Sequence, residues 1–187
     1  KYNKSYDYIV MIDDDITNII KKVDSKSSES VVIDELIDEM KNTLEERDAF
    51  FGGITLCPNL FYAKNRISNN LKYISGALQI YRSSSRETPK NDLKHFEDYD
   101  YNIQYFLRDY IICRWDAIIP ITKNYNPVGG ICADYGSLKE RLIDAEVKAY
   151  EIVKKYGDDI VKITYKKGSS RSPACVNLKL NYRFKPL

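Results

Sequence analysis

The sequence predicts an α/β fold, a mixed β-sheet flanked by helices, on three observations. Short β-branched and aromatic runs, among them YDYIVMI (6–12), ISGALQIYR (74–82) and IICRWDAIIPI (111–121), have the composition of strands. Between them lie stretches with apolar residues at helical spacing, over 31–49, 95–110 and 137–157. At 187 residues, with 43% hydrophobic and 30% charged residues, the chain is long enough to bury a core without disulfides.

The first run, 6–12, reads as a buried strand and ends in Asp13, Asp14 and Asp15. A Ser-rich charged stretch over 21–30 reads as an exposed loop. The next segment places Val32, Leu36, Ile37, Met40 and Leu44 on one helical face, which suits a helix laid over the sheet. FFGGITLCPN (50–59) reads as a strand broken by Gly52 and Gly53, whose lack of side chains would let a ligand approach the backbone. ISGALQIYR is a second strand entered at Gly76, followed by a polar loop over 83–91. HFEDYDYNIQYFLRDY (95–110) puts Phe96, Tyr99, Ile103, Phe106, Leu107 and Tyr110 on one helical stripe, with Asp98 and Asp100 near its N-terminus. Residues 111–121 read as one strand and 122–136 as a Pro/Gly loop. The third helix runs from a Ser137 N-cap and Glu140 capping box to Gly157. Residues 159–167 and 176–184 alternate as terminal strands, a hairpin joined through GSSRSPA.

Composition excludes several classes. No apolar run approaches the roughly 18 residues that cross a bilayer. Cys57, Cys113, Cys132 and Cys175 are scattered without a C-x-x-C pair, which argues against a zinc knuckle or a disulfide framework and for a reducing, cytoplasmic compartment. GSSRSPA lacks the lysine and spacing of a P-loop, and a single histidine, His95, leaves no Ser/His/Asp or Cys/His catalytic arrangement. The chain starts at Lys1 with no signal-peptide pattern, as a processed product or part of a longer polypeptide would. Net charge is +2, yet after Asp159 there is no acid, while Lys162, Lys166, Lys167, Arg171, Lys179, Arg183 and Lys185 follow. That basic end suits phosphate, and it also suits a solvated strand pair.

Carboxylates at a strand end can bind a divalent ion, because hard cations prefer oxygen ligands and the sheet fixes them in place. In D-D-D, Asp13 and Asp15 can converge on one cation while Asp14 points elsewhere; a solvated acidic turn is the alternative. Arg82 and Arg86 flank a serine run and could hold a phosphate through bidentate bonds, or be solvated.

IVMIDDDI resembles the metal-binding D-x-D motif of GT-A-type glycosyltransferases, where a hydrophobic strand ends in aspartates and the cation neutralises the diphosphate of a nucleotide-sugar. In those families a later Gly-containing segment lines the donor and acceptor pocket, and an acidic pair opening a helix supplies the base in inverting members. ISGALQIYR and HFEDYDYNIQYF stand here in that order, and the resemblance covers residues 6–130. It implies a GT-A-like, Rossmann-like catalytic domain over 1–157. The basic strands of 158–187 are then part of that domain or a small appendage. It implies Mn2+ or Mg2+ on Asp13 and Asp15, with Asp14 near the donor ribose or sugar and Gly76 in the donor pocket. Asp98 becomes the general base, with Glu97 or Asp100 as substitutes.

Two departures accompany the resemblance. A nucleotide-binding half usually precedes the D-x-D in these enzymes, and here Asp13 stands close to the start of the chain. Many members also complete the metal site with a late histidine, whereas His95 lies beside the proposed base; the third ligand is then an oxygen from NYNPVGG (124–130), or water.

Within that superfamily the acidic triplet, NPVGG and KKYGDDIVKITYKKG look most like the viral glycosyltransferases associated with thymine-oxidising dioxygenases, proposed to add sugars to hydroxymethylated pyrimidines in DNA. That likeness implies a DNA acceptor, whose target base leaves the stack to be reached, and a virus-infected host cell. Two other classes use the same residues. A metal-dependent nuclease or phosphotransferase would hold two cations about 3.5–4 Å apart. A non-catalytic nucleic-acid-binding module would rely on the basic end alone and tolerate loss of Asp13 and Asp15.

Overall fold

A computed structural model describes residues 7–55, 60–84, 87–90, 93, 95–122, 137–168 and 175–186. Ten strands and three helices follow in the order β1 (Tyr8–Ile12), β2 (Ile16–Lys22), β3 (Ser28–Ser30), α1 (Ile33–Glu46), β4 (Phe51–Ile54), β5 (Ile67–Ser68), β6 (Leu78–Arg82), α2 (Glu97–Asp109), β7 (Cys113–Trp115), β8 (Ile118–Thr122), α3 (Leu138–Tyr156), β9 (Val161–Lys166) and β10 (Cys175–Leu180). The class is α/β, with a mixed sheet.

The main sheet has the order β1-β6-β4-β7-β5. β6 is antiparallel to both β1 and β4, and β4 is parallel to β7. Strands β1, β4 and β7 therefore point the same way and end on one edge of the sheet. In α/β proteins ligands bind outside such carboxyl ends. Beyond that edge the chain leaves β1 and β7 for a second sheet of order β3-β2-β8, where β2 and β8 pair antiparallel.

Each face of the main sheet carries its own core. On one face α1 buries Leu36, Met40 and Leu44, at the i, i+4 spacing of a helical stripe, against Ile54, Leu78, Ile80 and Trp115. On the other, Tyr99, Ile103, Tyr105 and Phe106 of α2 pack with Phe51, Ile74, Ala149 and Ile152 of α3, and with Val161, Val176, Leu178 and Leu180. The β9–β10 hairpin thus shares the core of α2. Helix α3 begins as its sequence dictates: Ser137 Oγ accepts the Glu140 amide at 3.2 Å, and Gly157 closes it with φ of 85°.

Several expectations need correction. The first strand is not buried: among the described residues it pairs only with β6, at the sheet edge, leaving Ile9, Met11 and Ile12 about half exposed. The Ser-rich stretch is a hairpin between β2 and β3, its turn tied by Asp24 Oδ1, which accepts the amides of Lys26 at 2.7 Å and Ser27 at 2.8 Å. Val32, at the N-cap of α1, and Tyr110, beyond α2, are exposed. Residues 111–121 form two strands, because the chain turns at Asp116 and Ala117 to change sheets.

The glycines of 50–59 do not break a strand; β4 runs through them with all four residues buried. Their role is packing and not ligand approach. A Cβ on Gly52 would stand 2.9 Å from both the Cys113 carbonyl oxygen and the Trp115 ring. One on Gly53 would stand 2.4 Å from the Leu78 carbonyl oxygen. Neither neighbour can yield in the middle of a sheet. The loop over 123–136, GSSRSPA beyond Gly168, Arg86, Cys57 and Cys132 lie outside the described residues.

Candidate functional site: the carboxyl edge of the main sheet

Asp13 continues the β1–β6 ladder by one rung, its amide donating to the Ala77 carbonyl at 3.0 Å. The triplet then turns into β2, with Asp13 and Asp14 exposed and Asp15 half-buried. Burial, then the charges of Asp15 and Asp14, push the Asp13 carboxyl above its ordinary value. Asp15 Oδ1 is itself buried and accepts no hydrogen bond among the described residues. Two mutually repelling carboxylates with an orphaned oxygen are a donor set that fits a hard divalent cation. Among the described residues no group of three or more His, Cys, Asp or Glu side chains is arranged to hold a metal, so Asp13 and Asp15 stand as a pair; NYNPVGG lies outside those residues.

Residues 73–77 cross this edge and link the triplet to α2. At one end the Ala77 carbonyl receives Asp13. In the middle the Ser75 amide donates to the Ile54 carbonyl at the end of β4, at 3.0 Å. Asn102 of α2 is fully buried and clamps Ile74: its Oδ1 accepts the Ile74 amide at 2.8 Å, and its Nδ2 donates to the Ile74 carbonyl at 3.0 Å. At the other end the Tyr73 hydroxyl donates to Asp98 Oδ2, and its ring stacks on Tyr99 at 4.4 Å. Three residues lie between Ala77 and Tyr73, whose Cα atoms are at most about 14 Å apart.

Asp98 stands in the first turn of α2, where the N-terminal dipole favours a carboxylate. Burial nevertheless dominates and, with the charge of Glu97, pushes its pKa up to about 6, against the opposing hydrogen bonds from the Tyr73 hydroxyl and the Tyr99 amide. Glu97 is half-buried beside it. Asp100 has a different surrounding: it is fully buried, and accepts from Lys155 Nζ at 2.9 Å, Gln104 Nε2 at 2.7 Å and the Tyr156 hydroxyl. It joins α2 to α3 and presents no carboxylate to a substrate.

Gly76 is exposed in the turn before β6, with nothing within 4 Å of where a Cβ would stand. Open space, not a tight approach, lies over it. Arg82 sits at the opposite end of β6, in register with Tyr8, so roughly 17 Å of strand separates it from the Asp13 rung. There it pairs with Asp48 at 3.3 Å and lies over the Phe50 ring. The sheet does not bring it to the triplet. His95 is buried with Nε2 3.4 Å from Asp144 Oδ2, facing α3.

Sequence reasoning missed two features of this edge. Gln79 is buried on β6, directly across from Met11; its Nε2 has no partner among the described residues, while its Oε1 accepts from the Tyr81 hydroxyl at 2.5 Å. A glutamine inside the apolar run ALQIY was the available signal. The second is Asp116, just past β7. Its Oδ2 accepts from Ser68 at 2.6 Å, Lys72 at 2.9 Å and Arg66 at 3.1 Å, and its Oδ1 from Arg114 at 2.6 Å. These partners overcome the opposing effect of burial and hold its pKa at about 2.

The fold and this edge define an α/β protein with acidic groups arrayed at its strand ends. Comparison with known proteins adds no relative: no family model, curated protein or solved structure matches the chain. No helix among the described residues is long and apolar enough to cross a membrane.

Proposed function

We propose that the chain is a metal-dependent glycosyltransferase that moves a sugar from a nucleotide-sugar to an acceptor hydroxyl. The observation that carries this reading is the shared edge: residues 73–77 tie the Asp13 rung at one end to Asp98 at the other. The resemblance of IVMIDDDI to the D-x-D motif and of HFEDYDYNIQYF to the base-bearing helix supports it.

Asp13 and Asp15 are the residues that would hold Mn2+ or Mg2+, which when bound supplies charge neutralisation for the departing nucleoside diphosphate. Asp14, exposed beside them, faces the donor ribose or sugar, and the open turn at Gly76 leaves room for it. Asp98, ionised above a pKa of about 6 and more basic than an ordinary aspartate, accepts the acceptor's hydroxyl proton. Tyr73 holds that carboxylate in place. The likeness to the viral enzymes extends the acceptor to a hydroxymethylated pyrimidine in DNA.

The test is sugar transfer itself, read by mass spectrometry on an oligonucleotide carrying hydroxymethylated pyrimidine. A panel of nucleotide-sugars is supplied with Mn2+ or with a chelator. Transfer appears with Mn2+ and one donor, and chelation removes it. Transfer that persists in chelator, or strand cleavage without any sugar donor, contradicts the reading; cleavage would favour the nuclease.

A further inference from the structure

We propose that the β7 end of the carboxyl edge holds a second, metal-independent site, which binds the phosphate of a nucleotide. Here Lys72, Arg114 of β7 and Lys179 of β10 open on a cavity of about 340 Å³ walled by Tyr73, Tyr99 and Tyr182, and no acid among the described residues lines it. That volume lies at the lower end of the range of small-ligand pockets.

The charge balance points to a missing anion. Behind the pocket one carboxylate, Asp116, faces three cations, Arg66, Lys72 and Arg114. The side chains of Lys72 and Arg114 are only 15% and 18% exposed, so their excess charge is poorly solvated. Neither is used up by Asp116. Lys72 spends one donor on Asp116 and one on Ser68, at 2.7 Å, which leaves a third. Arg114 gives Nε and Nη2 to Asp116 and Nη1 to the Tyr73 carbonyl at 3.0 Å, which leaves guanidinium N–H groups over.

On the hairpin the imbalance repeats. Lys179 sits directly across from Lys162 in the β9–β10 register, and like charges in that position destabilise a strand pair. Asp158 and Asp159 line the adjoining cleft together with Lys162, Lys179 and Arg183, but among the described residues neither forms an ion pair with Lys179. Of the two acids that act on Tyr73, Asp98 and Glu97, Asp98 is committed to the Tyr73 hydroxyl.

Cationic side chains from three separate parts of the chain thus line one opening, an arrangement that suits a tetrahedral oxyanion better than a planar carboxylate. Tyr182 is 46% exposed at the rim and offers a ring face to a flat group attached to that phosphate. Three strand positions separate β7 from β1, about 14 Å, so a diphosphate held at Asp13 does not fill this pocket. The site therefore stands on its own contacts and does not rest on the transferase reading.

Free mononucleotides and nucleic-acid strands present the same chemistry. Calorimetric titration in chelator and low salt with inorganic phosphate, a nucleoside monophosphate and a single-stranded oligonucleotide, on the wild-type chain, Lys179→Gln and Tyr182→Ala, tests the site and separates these sources. The monophosphate is expected to bind saturably. Lys179→Gln should weaken it about tenfold or more, and Tyr182→Ala should weaken the monophosphate but not inorganic phosphate. Lys179 is exposed and its replacement relieves the repulsion from Lys162, so the Gln variant should unfold at the wild-type temperature or above it. Tighter, salt-sensitive binding of the oligonucleotide identifies a strand as the ligand, and equal binding identifies the free nucleotide. Saturable binding by none of the three probes, or unchanged affinity in Lys179→Gln, overturns the proposal.

Discussion

Replacing Asp98 by Asn is expected to lower kcat of the proposed sugar transfer by about 10²- to 10⁴-fold, the usual worth of a positioned general base. KM for the nucleotide-sugar should change little, because Asp98 meets the acceptor and not the donor. An Asn oxygen can still accept from Tyr73, and the substitution removes a charge that burial disfavours, so the variant should stay folded. The wild-type profile should carry the signature of this group. Since the carboxyl titrates near 6, kcat/KM should fall tenfold per pH unit below that value and level off above it. Glu97→Gln removes a charge that raises the Asp98 pKa, so the acidic limb should move to lower pH with the plateau largely kept. Transfer by Asp98→Asn within threefold of wild type removes Asp98 from the chemistry.

The largest expected effect on stability belongs to Asp116. Asp116→Ala leaves Arg66, Lys72 and Arg114 around a buried point without their counter-charge, and should cost about 3–5 kcal/mol in denaturant unfolding. The sign of the pH dependence follows from the depressed pKa. The unfolded carboxyl titrates near 3.8 and the folded one at about 2. Its contribution is therefore complete above about pH 4 and is lost as pH falls through 2, a loss of about 2.5 kcal/mol. An unfolding midpoint unchanged in Asp116→Ala would show that the cations are satisfied elsewhere.

How far the chain was legible depended on whether the determining contacts were local. Helix α3 was readable because its signals lie within the helix: Ser137 caps its own third residue and Gly157 closes the end. The acidic triplet was readable as the end of a strand, since an apolar run stopped there. That β1 is an edge was not, because burial depends on what pairs with it, and among the described residues only β6 does. The second sheet escaped because a hairpin exposed along β3 shows no apolar alternation, and its turn is held by one aspartate.

The site divided along the same line. Asp98 was visible as an acid opening a helix, but its raised pKa comes mainly from burial under the crossing segment, and the Tyr73 hydroxyl that opposes the rise is 25 residues away. Asp100 carries the same local signal and is distinguished only by Lys155 and Tyr156 on α3, 55 and 56 residues on. Asp116 gave no signal because Arg66 and Lys72 reach it from 50 and 44 residues back. Gly52 and Gly53 invited a ligand explanation, yet the atoms that forbid a side chain there belong to β6, β7 and residue 74.

The most direct test of the account is calorimetric titration of nucleoside diphosphates and nucleotide-sugars, with and without Mn2+, into the wild-type chain and Asp13→Asn/Asp15→Asn. The account predicts, beside the metal-independent binding at the Lys179 pocket, a separate binding event for one nucleotide class that requires the metal and disappears in the double variant, while the thermal unfolding of that variant stays at the wild-type temperature or rises, since the substitution relieves the repulsion on Asp13. Metal-dependent binding that survives loss of both carboxylates would contradict it.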